Sequence, residues 1–195
     1  MTSSELFPAD RRSALVLLHL QNEVLDPDGI VGRRGIAAVA ESSGVVEAVL
    51  RAMSAARAAG VPIIHVVLVG REGTCTSTAL NLRAGVVEGF QPHSWGVRVV
   101  ARLAADDAIV IEHDTMSGFA GTDLAPMLLG RGIDRVLLGG VSVHLVVAAT
   151  AFAAADLGLD VVLLRDCCAA PNERTSDAAF AQLSAVGKVM STLET

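Results

Sequence analysis

The sequence predicts an α/β fold, a three-layer α/β/α arrangement with a central, mostly parallel sheet. Short apolar runs without polar alternation, such as ALVLL at 14–18, are typical of strands whose two faces are both covered. Segments with apolar residues at helical spacing separate these runs, and such alternation implies parallel strands joined by right-handed crossovers. A chain of 195 residues can bury one substantial core, and we expect a single domain over residues 1–195.

The first third of the chain carries two predicted strands and one predicted helix. Residues 14–18 form the first strand, which ends abruptly in the polar cluster HLQNE at 19–23. Residues 45–59 repeat apolar side chains at helical spacing, and Gly60 stands where a helix C-cap belongs. Residues 61–69 predict the second strand, because the run is apolar and its proline lies near the start.

The middle of the chain is less regular. Residues 70–94 are polar and loop-rich, so we expect an excursion over one edge of the domain. Residues 97–103 are predicted to be helical, and residues 108–112 form the third strand. A helix is predicted over residues 122–130, with Thr122 as its N-cap.

The last third contains the junction at which we expect a site. Residues 136–138 predict a buried strand, which the two glycines at 139–140 should end. Ser142 is the expected N-cap of the helix that follows, so free backbone N–H groups would lie at the carboxyl edge of the sheet. Residues 159–164 predict a fifth strand, and residues 177–183 part of a last helix.

Composition excludes several classes of partner. The net charge is −6 and aromatic residues make up only 3% of the chain, so we expect no nucleic-acid partner. No apolar run approaches the roughly 20 residues that span a bilayer, and the first residues lack a signal peptide's pattern, so we expect no membrane association and a cytoplasmic location. The three cysteines do not resemble a disulfide framework, and we expect reduced thiols.

Two histidines follow predicted strands and are the candidate acid/base residues. His19 comes after the first strand and His113 after the third, and the carboxyl ends of parallel strands converge on one crevice. Imidazole can act as acid or base near neutral pH. A purely structural role for each ring is the alternative. His65 is expected to pack inside a strand, and no spacing of residues predicts a metal site, a phosphate loop or a cofactor.

The chain resembles the isochorismatase-like hydrolases, also called the cysteine hydrolase superfamily, in segments that keep their order and spacing. The resemblance covers residues from about 14 to 194, and it implies a Rossmann-like topology. The matching segments are LVLLHLQNEVLDPDG, RAAGVPIIHV and IEHDTMSGFAGTDLAPMLLGRGIDRVLLGGVSVHLVVAATAFAAADLGLDVVLLRDCCAA.

Amide-hydrolysing members of this superfamily share an Asp-Lys-Cys triad, and the resemblance places its three positions at His19, His113 and Val146. The only lysine of the chain is Lys188, and no cysteine lies between residues 75 and 167, so no local shift of the alignment restores the triad. Valine cannot act as a nucleophile. The resemblance also implies a cis bond after Val141.

Two hypotheses follow. The first is a hydrolase-like enzyme for a small molecule, in which His19 and His113 perform acid/base catalysis without a covalent cysteine intermediate. The second is a catalytically inactive family member that binds a small ligand or serves as a partner subunit. In either case the resemblance implies a homodimer or homotetramer. The residues expected to contact the substrate are Gln21, Phe119, Ser142, His144 and Val146.

Overall fold

The structure, a computed structural model, describes residues 2–70 and 89–193. Its centre is a six-stranded sheet in which every strand pairing is parallel. The strands are β1 (Ser13–Leu18), β2 (Ile63–Leu68), β3 (Ile109–His113), β4 (Arg135–Val141), β5 (Asp160–Ala169) and β6 (Lys188–Met190), in the spatial order β3-β2-β1-β4-β5-β6. The predicted α/β class with a parallel sheet is therefore confirmed.

Helices cover both faces of this sheet. They are α1 (Ser3–Leu6), α2 (Asn22–Leu25), α3 (Ile36–Ser42), α4 (Val45–Ala58), α5 (Leu124–Gly130), α6 (Ala148–Asp156) and α7 (Glu173–Leu183). A 3₁₀ turn (Gly32–Arg34) precedes α3, and a π-helix (Val143–Val147) joins β4 to α6. None of the helices in the described ranges is long and apolar enough to cross a membrane.

The hydrophobic core has two halves, one on each face of the sheet. Helices α1 to α4 pack on the first half, while α5, the π-helix, α6 and α7 pack on the second. Strand β1 separates them, because Leu15 and Leu17 face the first half and Val16 and Leu18 face the second. All six residues of β1 are buried, which explains why its sequence shows no polar alternation.

Strand β4 runs through both glycines that were expected to end it, so that prediction is wrong. Leu17 and Leu18 of β1 pair with Gly139 and Gly140. A Cβ atom at Gly140, whose φ is 147°, would lie 2.2 Å from the carbonyl oxygen of Leu18. The glycines therefore allow β4 to stay paired with β1 where a larger residue would push the strands apart.

Residues 97–103 are not helical, contrary to prediction. Val99 forms an antiparallel bridge with Gln21, and the backbone N–H of Val100 donates to the carbonyl oxygen of Leu20. These bonds attach the segment to the chain that leaves β1, although Leu103 N–H also donates to the carbonyl oxygen of Val100 within the segment. A pattern of apolar residues cannot show whether the peptide groups form hydrogen bonds within a helix or with another segment of the chain.

Other differences concern the ends of elements. Strand β5 continues five residues beyond the predicted 159–164, to Ala169, and the short edge strand β6 was not predicted. Helix α5 begins at Leu124, whose N–H donates to the hydroxyl of Thr122. Helix α7 begins at Glu173, where the side chain of Asn172 accepts from Thr175 N–H. The predicted loop at 70–94 lies largely outside the described residues.

The close contact between β1 and β4 predicts that a larger residue at Gly140 destabilises the protein. Gly140→Ala should lower the free energy of unfolding by about 3 kcal/mol or more, because its methyl group collides with the backbone of Leu18. Gly158→Ala is the matched control: its φ is also positive, at 77°, but no atom lies within 4 Å of the added Cβ. Strain alone should cost it about 1–2 kcal/mol. Equal losses in urea-unfolding experiments would contradict the close-approach explanation.

A buried imidazole in β2 predicts acid sensitivity. His65 is 1% exposed, and burial lowers its pKa to about 4, below the ordinary value of 6.5. Between these pH values the unfolded chain binds a proton that the folded chain does not, so stability should fall as the pH falls from 6.5 toward 4, by about 3 kcal/mol from this residue.

His65→Leu should remove that part of the pH dependence. The measurement is the free energy of unfolding of both proteins at a series of pH values from 4 to 7. The slope of the free energy of unfolding against pH reports how many protons are taken up on unfolding, and this number should be smaller by about one in the variant than in the wild-type protein. An unchanged slope would show that His65 does not titrate differently in the folded and unfolded states.

Candidate active site

Two imidazole rings meet at the carboxyl edge of the sheet. His19 follows β1 and His113 ends β3, with β2 between them, yet their Nε2 atoms are 2.5 Å apart. Their ring centroids are 4.8 Å apart and the ring planes are inclined by 48°. The expected convergence of the two strand ends is therefore present. The rings touch directly, however, and leave no room for a substrate between them.

The backbone of His19 has an uncommon conformation. Its φ is 56°, in the left-handed region that non-glycine residues seldom occupy, although histidine is among those that do so most often. Its N–H still donates to the carbonyl oxygen of Val66, at 2.9 Å, so the residue remains attached to β2. Residues held in such conformations are concentrated at functional sites.

Hydrogen bonding fixes where the protons of the neutral pair reside. His113 Nδ1 lies 3.2 Å from the carbonyl oxygen of Ser117, which can only accept, so Nδ1 carries the proton. Neutral His113 then has a lone pair at Nε2, and the short contact requires His19 to donate from its own Nε2. The remaining nitrogen, His19 Nδ1, is left with a lone pair. It has no hydrogen-bond partner among the residues described.

Burial keeps both rings neutral. His19 is 8% exposed and His113 is 1% exposed. Burial, together with the neighbouring His113, holds the pKa of His19 well below 6.5. Burial also lowers the pKa of His113, while the carbonyl of Ser117 and the charge of Asp114 act in the opposite direction. The positive charge is therefore better tolerated on the side of the pair that contacts Ser117.

A cavity of about 370 Å³ opens beside His19. Its walls are mainly apolar and come from both halves of the core. The described residues that line it are His19, Val24, Val31, Arg34, Gly35, Ile36, Val39, Leu68, Phe90, Thr115, Met116, Val141, Ser142, His144, Leu145, Val146 and Pro171. Among the residues expected to bind or act on a substrate, His19, Ser142, His144 and Val146 line this cavity.

Three of the expected site residues do not line the cavity. His113 lies behind His19 and reaches the cavity only through that ring. Gln21 is fully buried, and its amide is occupied by the backbone: Oε1 accepts from Leu68 N–H at 2.7 Å, and Nε2 donates to the carbonyl oxygens of Leu68 and Gly96. Gln21 therefore holds β2 and the loop at Gly96 against the end of β1.

Phe119 is the third of these residues. It is 9% exposed and belongs to the second half of the core, so its ring stabilises the fold and is not placed to contact a ligand in the cavity.

The chain after β4 forms one wall of the cavity. The Val141–Ser142 peptide bond is cis, as expected. An α-helix capped by Ser142 was expected next, but residues Val143–Val147 form a π-helix and the Ser142 side chain makes no capping bond. Single π-turns are frequent at functional sites. Val146 is 2% exposed and presents an apolar surface to the cavity.

The two described cysteines are structural. Cys167 packs in the first half of the core and Cys168 in the second, and neither lines the cavity. Burial raises the pKa of Cys168 to about 12 and raises that of Cys167 well above its ordinary value, so both remain protonated at neutral pH. Cys75 lies outside the described residues.

Sequence reasoning missed the part of the wall formed by the 3₁₀ turn and α3. Arg34 on the turn and Val39 on α3 both line the cavity. The only available signal was the Arg-Arg pair that follows the turn-forming residues 25–29. Within the described ranges, no group of three or more His, Cys, Asp or Glu side chains could hold a metal ion.

Comparison with known proteins identifies the family and the fold. The model of the Isochorismatase domain family matches residues 13–195. An uncharacterized isochorismatase family protein of Escherichia coli O157:H7, YecD, is 38% identical over 79 residues, which are 40% of this chain and 42% of that protein. The chain thus matches less than half the length of this relative.

Two solved structures extend the likeness to most of the chain. An isochorismatase family protein from Desulfovibrio vulgaris has a TM-score of 0.79 at 26% identity, over 93% of this chain and 95% of that one. The zinc complex of the pyrazinamidase of Pyrococcus horikoshii has a TM-score of 0.75 at 25% identity, over 92% and 99% of the two chains. With the family model matching nearly the whole sequence, the chain belongs to the isochorismatase family.

Proposed function

We propose that this protein is a hydrolase-like enzyme for a small molecule, in which His19 is the general base and His113 receives the proton from it. The observation that carries the proposal is the contact between the two Nε2 atoms beside the cavity. The relationship to the Pyrococcus horikoshii pyrazinamidase supports hydrolysis as the reaction class. No covalent intermediate is part of the proposal, because neither described cysteine reaches the cavity.

The proposed reaction moves one proton along the pair. A water molecule attacks the substrate as His19 Nδ1 takes its proton, and His19 Nε2 passes its own proton to His113 Nε2. His113 then carries the positive charge, with its Nδ1–H bonded to Ser117 and the Asp114 charge favouring the imidazolium. Reversal of both transfers delivers the proton to the leaving group, so the pair returns to its starting state.

A specific observation favours the alternative, a family member that binds a small ligand without turnover. Most of the residues lining the cavity are apolar, and the resemblance places Val146 where amide-hydrolysing members have their nucleophile. An apolar cavity with a few polar groups is typical of ligand sites in general. Turnover distinguishes the two functions, because a binding protein shows saturable binding and no product.

Replacement of the base tests the enzymatic function. The protein should convert at least one member of a library of small amides, esters and vinyl ethers, followed by NMR. His19→Asn should lower kcat/KM by about 100-fold or more, because it removes the general base, while asparagine tolerates the positive φ. His113→Gln should lower kcat/KM as well, since an amide cannot receive the proton.

The matched control is His93→Asn. His93 also has a positive φ, 64°, but it is exposed and does not line the cavity. Its replacement should leave kcat/KM unchanged. Retained turnover in His19→Asn would refute the proposed mechanism, and saturable binding by the wild-type protein without product for any bound compound would favour the alternative function.

The pH dependence of turnover provides an independent test. A base must be unprotonated to act, and burial holds the pKa of His19 well below 6.5. The acid limb of the kcat/KM profile should therefore lie below pH 6.5, at pH values where the protein is still folded by circular dichroism. An acid limb above pH 6.5 would show that a different group serves as the base.

A further inference from the structure

We propose that the ligand of this cavity is a small organic anion, whose apolar body packs against the cavity walls while its carboxylate binds the guanidinium of Arg34. This inference rests on the cavity used in the proposed function, but it does not require turnover. It identifies the chemical class of the ligand from the only guanidinium that lines the described part of the site.

Arg34 differs in kind from its neighbours in the cavity. Among the described lining residues it is the only arginine or lysine, and none of them is an aspartate or glutamate; burial keeps His19 neutral, and most of the others are apolar. Arg34 is itself exposed, so its charge remains hydrated at the cavity rim. No acidic side chain within the described ranges forms an ion pair with it, and a guanidinium has five N–H donors to offer a ligand.

The position of Arg34 is set by the backbone. The arginine ends the 3₁₀ turn, and Gly35, with a φ of 106°, leads directly into α3. The start of the turn is packed tightly, because a Cβ atom at Gly32 would lie 1.9 Å from the carbonyl oxygen of Asp26. The chain on both sides of the arginine is therefore placed by close packing and by a turn that favours glycine.

One other polar group of the cavity, the imidazole of His19, favours the same orientation of an anion. The hydrogen bond from His113 to the carbonyl oxygen of Ser117 leaves His19 Nδ1 with a lone pair. A carboxylate would be repelled by this lone pair. Arginine binds carboxylates with paired, charge-assisted hydrogen bonds. The anionic group should therefore lie at Arg34 and the apolar body nearer to Val146. A volume of about 370 Å³ is at the small end of the range for ligand pockets, which favours a compact ligand.

Equilibrium binding of matched compounds tests this inference. The probes are benzoate with benzyl alcohol and cyclohexanecarboxylate with cyclohexylmethanol, pairs that share an apolar body and differ in the anionic group. By isothermal titration calorimetry, at least one acid should bind the wild-type protein about tenfold more tightly than its alcohol. Arg34→Gln should reduce this preference to less than about twofold and leave the alcohol's affinity unchanged.

Arg33→Gln is the matched control, because Arg33 lies on the same exposed turn and does not line the cavity. It should keep the full preference for the acid. Arg34→Lys retains the positive charge and should keep part of the preference for the acid. This variant tests the role of the charge if Arg34→Gln loses affinity for both compounds.

The inference is wrong if neither acid binds more tightly than its alcohol, if no probe binds, or if Arg33→Gln loses the preference as fully as Arg34→Gln does. Failure of the proposed catalysis gives a different result: His19→Asn would keep its turnover, while the acid would still bind through Arg34. The ratio of the affinities for the acid and for its alcohol should be the same in His19→Asn as in the wild-type protein.

Discussion

Polar groups that are buried at the end of β1 must find hydrogen-bond partners, and this requirement organises the carboxyl edge of the sheet. The side-chain amide of Gln21 meets it at the end of β2, where it accepts from Leu68 N–H and donates to the carbonyl oxygen of Leu68. His19 meets it with His113, and His113 in turn uses the carbonyl of Ser117. A connected set of bonds thus runs from β1 across β2 and β3 to the loop beyond, and it determines the shape of the site.

The same bonds account for the chemistry that the site offers. Because the carbonyl oxygen of Ser117 can only accept, the protons of the neutral pair have one arrangement, and the free lone pair belongs to the histidine beside the cavity. Burial keeps that ring neutral. An imidazole pair of this kind can take up one proton and move it away from the ligand without a thiolate, which suits a family member in which neither described cysteine reaches the cavity.

The cavity itself divides into two regions with different roles. The side formed by β4 and the π-helix presents apolar side chains such as Val146 together with the polar Ser142 and His144, whereas the rim at the 3₁₀ turn presents the charge of Arg34. The proposed base, His19, lies at a third position, at the end of β1. A ligand that satisfies all three needs an apolar body, an anionic group and a bond accessible to a water molecule.

Five of the six strands, and the convergence of His19 and His113 on one edge of the sheet, could be predicted because they depend on local patterns and one topological rule. Continuous apolar runs identify strands that are buried on both faces, and parallel strands bring their carboxyl ends to the same edge. The roles of Gln21 and Phe119 could not be predicted, since the sequence near Gln21 does not reveal that its amide would be occupied by Leu68 and Gly96. The course of residues 97–103 also depended on a distant partner, the backbone around Gln21.

By itself the sequence determined the fold class, the family resemblance and the two histidines, because periodicity, turn residues and residue identity are local properties of the chain. Only the tertiary structure decided that the imidazoles touch, that one of them alone lines the cavity, and that Arg34 stands at its rim. The glycines at 139 and 140 show the physical reason: they were expected to end a strand, yet the close approach of Leu18 makes them continue it. Distances between segments far apart in the chain arise from packing, and no local pattern encodes them.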